Sequence, residues 1–565
     1  MRDEEGLSIR GPEARLERKA GEQLLRRASL YVGAPMVLGL VLAQAILASP
    51  FGDPNHPERL DAFLYLFAHH EPIHFALFII LGAALCWSVF RPRGAAGALS
   101  RNWLSVPGWP VVVLLGLMVL GATALGVRVV LHSYPLSMDE FAADFQSRVF
   151  AAGQIRAAIP REWTPFVEAL TPIWIRTGVE GDSWTSAYLP IAAAIRALFV
   201  LGGVPELTNP VLAGLTIPVI WLAARRLWPG EPTTAWVPTL LLAVSPQFLF
   251  TSMTAYAMPA HLLFNMTWLY LYLVGTRTSL AVAPVVGVLA MGLHQPNVHA
   301  LFVAPFLLRL VRTRRWGTAS YFAAVYLLGS ALWLGWMIGV NPRAGSLTGA
   351  VYAWPGAFQL LLQPINLALL TSWQPIAIAV LVAVAFLRWR AMNAATRDLA
   401  LGLLLTLGFY VFVDFDQGQG WGYRYAYGVL GNLALLAGQG WAVLDEEWRR
   451  RRGLAFLTLS VAIALAIQVP IRATQIESFV RPFADSMAFV QSLPVDVALI
   501  QRADAWYAHD LVRNDPWLTN KPKVMLEDKL TDAQTAALQT MGQVRWVESD
   551  HLGRRGMLTT PGRIE

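Results

Sequence analysis

The sequence holds a single cysteine in 565 residues, and that one, Cys86, lies inside an apolar run. An intrachain disulfide and a thiolate metal cluster are thereby excluded, and the redox compartment is unreadable. Charge is scarce as well. Asp, Glu, Lys and Arg make up 14% of the chain, against roughly 25% in ordinary globular proteins. That shortage excludes a water-soluble enzyme. No internal repeat and no low-complexity tract is found. No cleavable signal peptide is expected, because residues 1–27 are long and charged and no small-residue cleavage site follows.

What is present is apolar. Hydrophobic residues make up 55% of the chain and mean hydropathy is +0.47, the composition of a polytopic membrane protein. The net charge of +7 is no argument for nucleic acid, since basic residues in such chains set orientation. Arg10, Arg15, Arg18, Lys19, Arg26 and Arg27 place the N-terminus in the cytoplasm. Three spans are expected before the first long loop, at 28–48, 73–90 and 111–131. Ten are expected after it, at 211–224, 234–250, 260–274, 280–293, 300–310, 321–340, 376–387, 399–415, 428–444 and 454–469. Arg91, Arg93 and Arg101, then Arg225 and Arg226, Arg309 to Arg315, Arg388 to Arg397 and Arg449 to Arg452 fall on one side of this arrangement. Run 187–201 is about 15 residues, short of the ~20 that cross a bilayer, and contains Arg196. It reads as an interfacial helix in an outer loop 133–210.

The fold expected is therefore an all-α polytopic membrane protein of about 13 transmembrane helices, with interfacial helices in its first large outer loop. A small C-terminal α/β extracytoplasmic domain follows. It divides into a cytoplasmic segment 1–27, two additional helices in 28–105, a membrane module 106–469 and a soluble tail 470–565. In the tail, 495–500, 524–526 and 544–547 read as strands. Thr531 and Gln534 form a capping box that opens a helix closed by Gly542.

Segment 137–156 stands out. Asp139 and Glu140 lie just where the chain leaves the third span. Phe141, Phe145, Val149, Ala152 and Ile155 recur at helical spacing, which predicts an amphipathic helix lying on the bilayer surface. Paired acids at that boundary suit chemistry on a lipid-tailed substrate. Ser137 and Glu140 also fit a helix-opening capping box, and both readings can hold together.

Other polar groups gather at the outer ends of spans, where they mark a cavity more often than chance. One turn gives Tyr256 and His261, the next His294 and Gln295, and a Gly/aromatic loop Tyr423, Arg424 and Tyr425. Aromatics there also serve as ordinary interface anchors, and a lone His294 also fits plain packing. Arg424 runs against the positive-inside bias. It answers either an anionic partner such as a phosphate or an ion pair with Asp414 or Asp416. His69, His70 and His74 suggest a metal site, but no ligand spacing or acidic partner supports one.

These residues together resemble the GT-C superfamily of glycosyltransferases that use polyprenyl-phosphate sugars. The likeness is nearest to bacterial relatives of protein O-mannosyltransferases and of the lipid A aminoarabinose transferase. It rests on Asp139-Glu140 with Arg148 and Gly153 following, on Tyr188-Leu-Pro190, on Ser245-Pro-Gln-Phe248 before Tyr256-Ala-Met-Pro259, and on Trp421-Gly-Tyr-Arg-Tyr425. It departs from such relatives at Leu189, Ala260 and Gln295. The resemblance implies an undecaprenyl-phosphate sugar donor, a lipid, glycan or protein acceptor, and Asp139 as general base. It implies that Glu140 orients the acceptor, supports Asp139 or binds a divalent metal; no cofactor is otherwise implied. Arg148 and Arg424 would stabilise the leaving phosphate, with Tyr256, His261, His294, Gln295, Tyr423 and Tyr425 lining the substrate site. The setting implied is a bacterial inner membrane with a periplasmic active site. A transporter or flippase, or a non-catalytic envelope-assembly partner, is the competing reading.

Overall fold

The computed structural model describes residues 11–49, 60–90, 108–340, 352–418, 420–503 and 505–559, with side chains from residue 23 onward except that of Arg451. Arg10, Arg91, Arg93 and Arg101, and the side chains of Arg15, Arg18 and Lys19, lie outside what is described.

Helices α1 (Gly11–Leu47), α2 (Ala62–Phe90) and α3 (Trp109–Val129) open the chain. Helix α4 (Met138–Ala151) follows in the first long loop, with the short α5 (Val167–Leu170) and then α6 (Ile191–Leu201). The bundle continues through α7 (Thr208–Leu227), α8 (Pro232–Ala243), α9 (Pro246–Thr251), α10 (Met258–Val274), α11 (Arg277–Met291), α12 (Pro296–Arg312) and α13 (Trp316–Val340). It closes with α14 (Ala357–Ser372), α15 (Ile376–Leu387), α16 (Ala394–Phe409), α17 (Leu430–Ala442) and a long segment, Leu454–Ser492. Among the described residues seven helices are long and apolar enough to cross a membrane, or eight if the pair α14–α15, bent by 118°, is one span. This is fewer than the thirteen expected. The expected span 234–250 is two helices, because Ser245 caps a new one at Pro246 and its hydroxyl accepts from the Phe248 N–H. Proline cannot donate to the helix ladder, so the first helix stops there. Others, such as α17 with 13 residues, are short and pack inside the bundle.

Close helix crossings need small residues where lipid supplies no hydrophobic drive between helices. Gly440 on α17 is such a point: a Cβ there would overlap the Leu381 carbonyl oxygen of α15. The two N-terminal helices are fastened to the body. Glu71 of α2 accepts from the Trp373 indole at 3.0 Å and from two nitrogens of Arg472 at 2.5 and 2.9 Å. Both charged side chains are fully buried, and such a pair is retained only when it is well hydrogen-bonded.

The long loop carries an antiparallel sheet in the order β1-β3-β2, from β1 (Ala157–Ala158), β2 (Ile175–Thr177) and β3 (Ser183–Ser186). The tail carries a parallel sheet in the order β5-β4-β6, from β4 (Val497–Ile500), β5 (Lys523–Leu526) and β6 (Val544–Val547). Between β5 and β6 the Thr531/Gln534 capping box opens the helix Asp532–Met541. Loop and tail share one core, in which Phe145, Trp184, Val497, Leu499, Met525 and Leu538 pack together. The Trp184 indole donates to the Pro516 carbonyl at 2.7 Å.

That core revises the reading of α4. Its apolar stripe of Ala142, Phe145 and Val149 is buried against protein instead of lying open to lipid. The helix also ends earlier than the 137–156 periodicity expects. Gly153 adopts φ +74°, a left-handed conformation natural to glycine that terminates helices. Ile155 is thus beyond the helix and exposed.

Candidate functional site

Ser137 caps α4, and the capping box with Glu140 is formed. The cap fixes which way the first turn faces. Asp139 then points toward the β3–α6 connection and the loop before α17. The Tyr188 hydroxyl donates to Asp139 Oδ1. Arg424 Nη1 donates to Asp139 Oδ2 at 2.8 Å. The Asp139 and Arg424 side chains are 17% and 8% exposed. Neither Asp414 nor Asp416, the partners weighed for Arg424 from sequence, pairs with it. Asp414 accepts from Gln359. Asp416 accepts the Gly418 N–H at 2.5 Å, and burial together with nearby Asp61 pushes its carboxyl up.

The Arg424 guanidinium lies over two aromatic rings, 4.7 Å from the Tyr256 ring centre and 5.6 Å from that of Tyr425. Tyr425 in turn stacks on Tyr410 at 4.7 Å, and its hydroxyl donates to the Asp416 carbonyl. Arg424 Nε is buried without a hydrogen-bond partner. The His294 ring lies against that of Tyr188, tilted by 35° with centres 4.3 Å apart. Asp139, Tyr188, Tyr256 and His294 line one small cavity of about 20 Å³, room for roughly one water.

Burial alone would raise the Asp139 carboxyl. Arg424, His294 and Tyr188 outweigh it, and the group stays below the usual carboxylate range. Burial pushes His294 down to about 4, so at neutral pH this ring carries no charge and Arg424 does most of the work on Asp139. Burial and the Asp139 charge hold Tyr188 well above its ordinary value, so it remains a donor.

Glu140 faces inward. Its Oε2 accepts the Ala255 N–H at 2.8 Å and its Oε1 the Ser137 N–H at 3.3 Å. It is 2% exposed, and burial pushes its carboxyl up to about 7. It ties α4 to the turn before α10 and has no open face for an acceptor. Arg148 is not brought to Asp139. Nine residues on, it projects from the far side of α4, where it pairs with Asp144 at 2.8 Å and lines a different cavity. His261 is buried with neither ring nitrogen hydrogen-bonded. Gln295 accepts from Tyr410 at 3.3 Å. Tyr423 is buried with its hydroxyl unpartnered, and its carbonyl accepts from Gln247. These three form the surroundings of the site and do not contact Asp139. Among the described residues no three His, Cys, Asp or Glu side chains gather to hold a metal.

Sequence reasoning missed two participants. Tyr188 stood in a quoted motif but was given no role; only its contact with Asp139 supplies one. Asp510 comes from the tail, is 4% exposed, and is raised to about 7 by burial, with the charge of Asp139 adding to the rise. Nothing in the sequence places it beside a helix nearly four hundred residues earlier.

No family model and no curated protein sequence matches the chain. Among solved structures, ArnT from Cupriavidus metallidurans bound to undecaprenyl phosphate superposes with a TM-score of 0.53 at 15% identity, over 79% of this chain and 91% of that one. The apo state of the same protein gives 0.51 at 14% identity, over 73% and 85%. An oligosaccharyltransferase from Archaeoglobus fulgidus overlaps with a TM-score of 0.38 at 13% identity, over 73% and 64%. The fold is similar to that of ArnT. Its likeness to ArnT spans nearly the whole of that protein.

Proposed function

We propose that the chain is a GT-C type glycosyltransferase. It moves a sugar from a polyprenyl-phosphate donor, such as undecaprenyl-phosphate sugar, to a hydroxyl of a lipid, glycan or protein acceptor at the outer face of a bacterial inner membrane. The N-terminus is cytoplasmic and the tail periplasmic. One observation carries the reading: a carboxylate that lines a small pocket accepts from a buried arginine whose Nε is unused.

In the reaction Asp139 accepts the proton of the acceptor hydroxyl while that oxygen attacks the anomeric carbon. The bond from that carbon to the phosphate oxygen breaks, and its electron pair leaves with the phosphate. In-line attack inverts the anomeric centre, by the geometry that governs single displacements at sugars. Arg424 receives the charge that develops on the phosphate, with a planar fork suited to two oxygens. Tyr188 holds the other carboxylate oxygen and fixes the direction of the base. A positioned base contributes typically about 10²–10⁴-fold.

The cavity at Asp139 is too small for a sugar as it stands. Donor binding therefore opens it, and the groups that must yield are Arg424 and Tyr188. A donor phosphate that draws Arg424 away also relieves the grip on Asp139 and makes it a better base. The test is turnover of a panel of undecaprenyl-phosphate sugars by purified wild type and Asp139→Asn, with mass spectrometry of lipid and acceptor products. Consumption of one sugar by wild type alone is expected. Equal consumption by both would remove Asp139 as the base. No consumption by either would move the reading to a transporter or an assembly partner.

A further inference from the structure

A second cavity, of about 750 Å³, lies on the side of α4 away from Asp139. Its volume is within the ~300–1,000 Å³ of small-ligand sites. It is walled by the end of α3, by α4, by the long segment Leu454–Ser492 and by the tail. Three features of its wall point to an anion.

The wall holds four guanidinium groups and three carboxylates, Asp144, Glu206 and Asp515. Arg148 and Arg196 share the single carboxylate of Asp144, at 2.8 and 2.7 Å. Arg513 is tied to backbone carbonyls of Asp510, Pro135 and Leu136. No carboxylate among the described residues forms an ion pair with it, although its charge acts on the buried Asp510 carboxylate nearby. The Asp515 carboxylate, also in the wall, is taken up by the Trp517 and Asn520 N–H groups and the Thr519 hydroxyl. Next, Tyr134 lines the cavity and is 8% exposed, and its hydroxyl has no hydrogen-bond partner. Arg513 lies over its ring at 4.1 Å, which fixes the ring and leaves the hydroxyl as a donor. Burying a hydroxyl unpaired is costly, and this oxygen is itself covered, so a ligand that displaces the wall over it gives it the partner it lacks. Finally, the rim carries cations with open faces. The Arg148 side chain is 52% exposed, and that of Arg128 is 70% exposed while it pairs with Glu206 of the same wall at 3.5 Å.

Arg128 stands in the last turn of α3, an apolar helix long enough to span a bilayer. The mouth of the cavity is thus level with the end of a membrane helix, where lipid head groups lie. We propose that this cavity binds the phosphate-bearing head group of an anionic lipid. Arg148 and Arg128 meet the phosphate oxygens at the rim, and the Tyr134 hydroxyl and Arg513 meet the deeper polar atoms. The site is separate from the Asp139 pocket and does not depend on the reaction proposed there.

The experiment measures binding of short-chain dihexanoyl phosphatidic acid to the full purified chain in a neutral detergent, by titration calorimetry. Dihexanoylglycerol, which lacks the phosphate, and inorganic phosphate serve as comparison ligands. Phosphatidic acid is expected to bind and dihexanoylglycerol not to bind. Inorganic phosphate is expected to compete only at much higher concentration. Arg148→Gln is expected to weaken binding about ten-fold, the size of one charge-assisted hydrogen bond. Tyr134→Phe keeps the ring under Arg513 and is expected to weaken it about three-fold. Arg424→Lys is expected to leave it unchanged. Equal binding of dihexanoylglycerol would overturn the proposal, as would binding untouched by both cavity variants or lost only with Arg424→Lys. Inorganic phosphate binding as tightly as the lipid would overturn the head-group assignment.

Discussion

Replacing Asp139 by asparagine removes the proposed base, and it also strips the charge partner from a buried guanidinium. Asp139 and Arg424 touch at 2.8 Å with side chains only 17% and 8% exposed. At an effective dielectric of about 20, unit charges some 4 Å apart attract by roughly 4 kcal/mol. Desolvation offsets much of this, yet removing one member of a buried pair typically costs about 3–5 kcal/mol because the other is left uncompensated. Asp139→Asn is therefore expected to lose about 3 kcal/mol of stability along with its activity. Arg424→Met should lose a similar amount; its chain fills the same slot against the Tyr256 and Tyr425 rings. The double variant buries no lone charge. It should be less destabilised than the sum of the singles by about 2 kcal/mol, within the range seen for contacting groups. The assay is reversible unfolding in mixed micelles of mild detergent and dodecyl sulfate, followed by tryptophan fluorescence. If the three variants add to within about 0.5 kcal/mol, the pair is not the coupled unit described here. The cycle also guards the turnover test, because loss of transfer by Asp139→Asn then counts as chemistry only where that variant remains folded.

Further outcomes follow from neighbouring groups. Glu140 has its carboxyl raised from 4.5 to about 7 in the fold. Between those values the folded state binds a proton that the unfolded state does not, so stability falls as pH rises from 4.5 to 7, by about 3 kcal/mol in all. Melting of wild type and Glu140→Gln across that window should show the slope in the first and its loss in the second; parallel slopes would refute the assignment. Tyr188→Phe keeps the ring contact with His294 and removes the donor to Asp139. The acid limb of a pH–rate profile should then move to higher pH, and stability should fall by only about 1 kcal/mol. An unmoved limb would mean that the hydroxyl does not tune the base. Gly440→Ala drives a methyl into the Leu381 carbonyl and is expected to cost about 1–3 kcal/mol of stability, read in the same micelle unfolding assay. Wild-type stability there would mean that α15 and α17 do not pack this closely.

The sequence alone determined the class and much of the local structure. Scarce charge and long apolar runs demand a membrane, because backbone and charge are too costly in lipid otherwise. Ser137 and Glu140 write the start of α4 in residues three apart, and Thr531 and Gln534 do the same in the tail, since capping is local chemistry. The resemblance also singled out Asp139 and Arg424, each from its own neighbourhood. What composition could not say is that these two touch, since 285 positions separate them and only helix packing closes that distance. Hydropathy counts more spans than there are described helices long and apolar enough to cross alone, because helices buried among others, such as α8, α9 and α17, need not match a bilayer's thickness, and proline can break them. Arg148 looked equivalent to Arg424 in sequence, and the rotation of one helix put it on the opposite side. Tertiary structure likewise decided the environment of each acid. Asp139 is kept ionised by an arginine from a distant loop, while Glu140, its neighbour in the chain, turns inward and is pushed toward neutrality by burial. Charge states depend on what surrounds a group in space, and adjacent residues on a helix face surroundings about 100° apart.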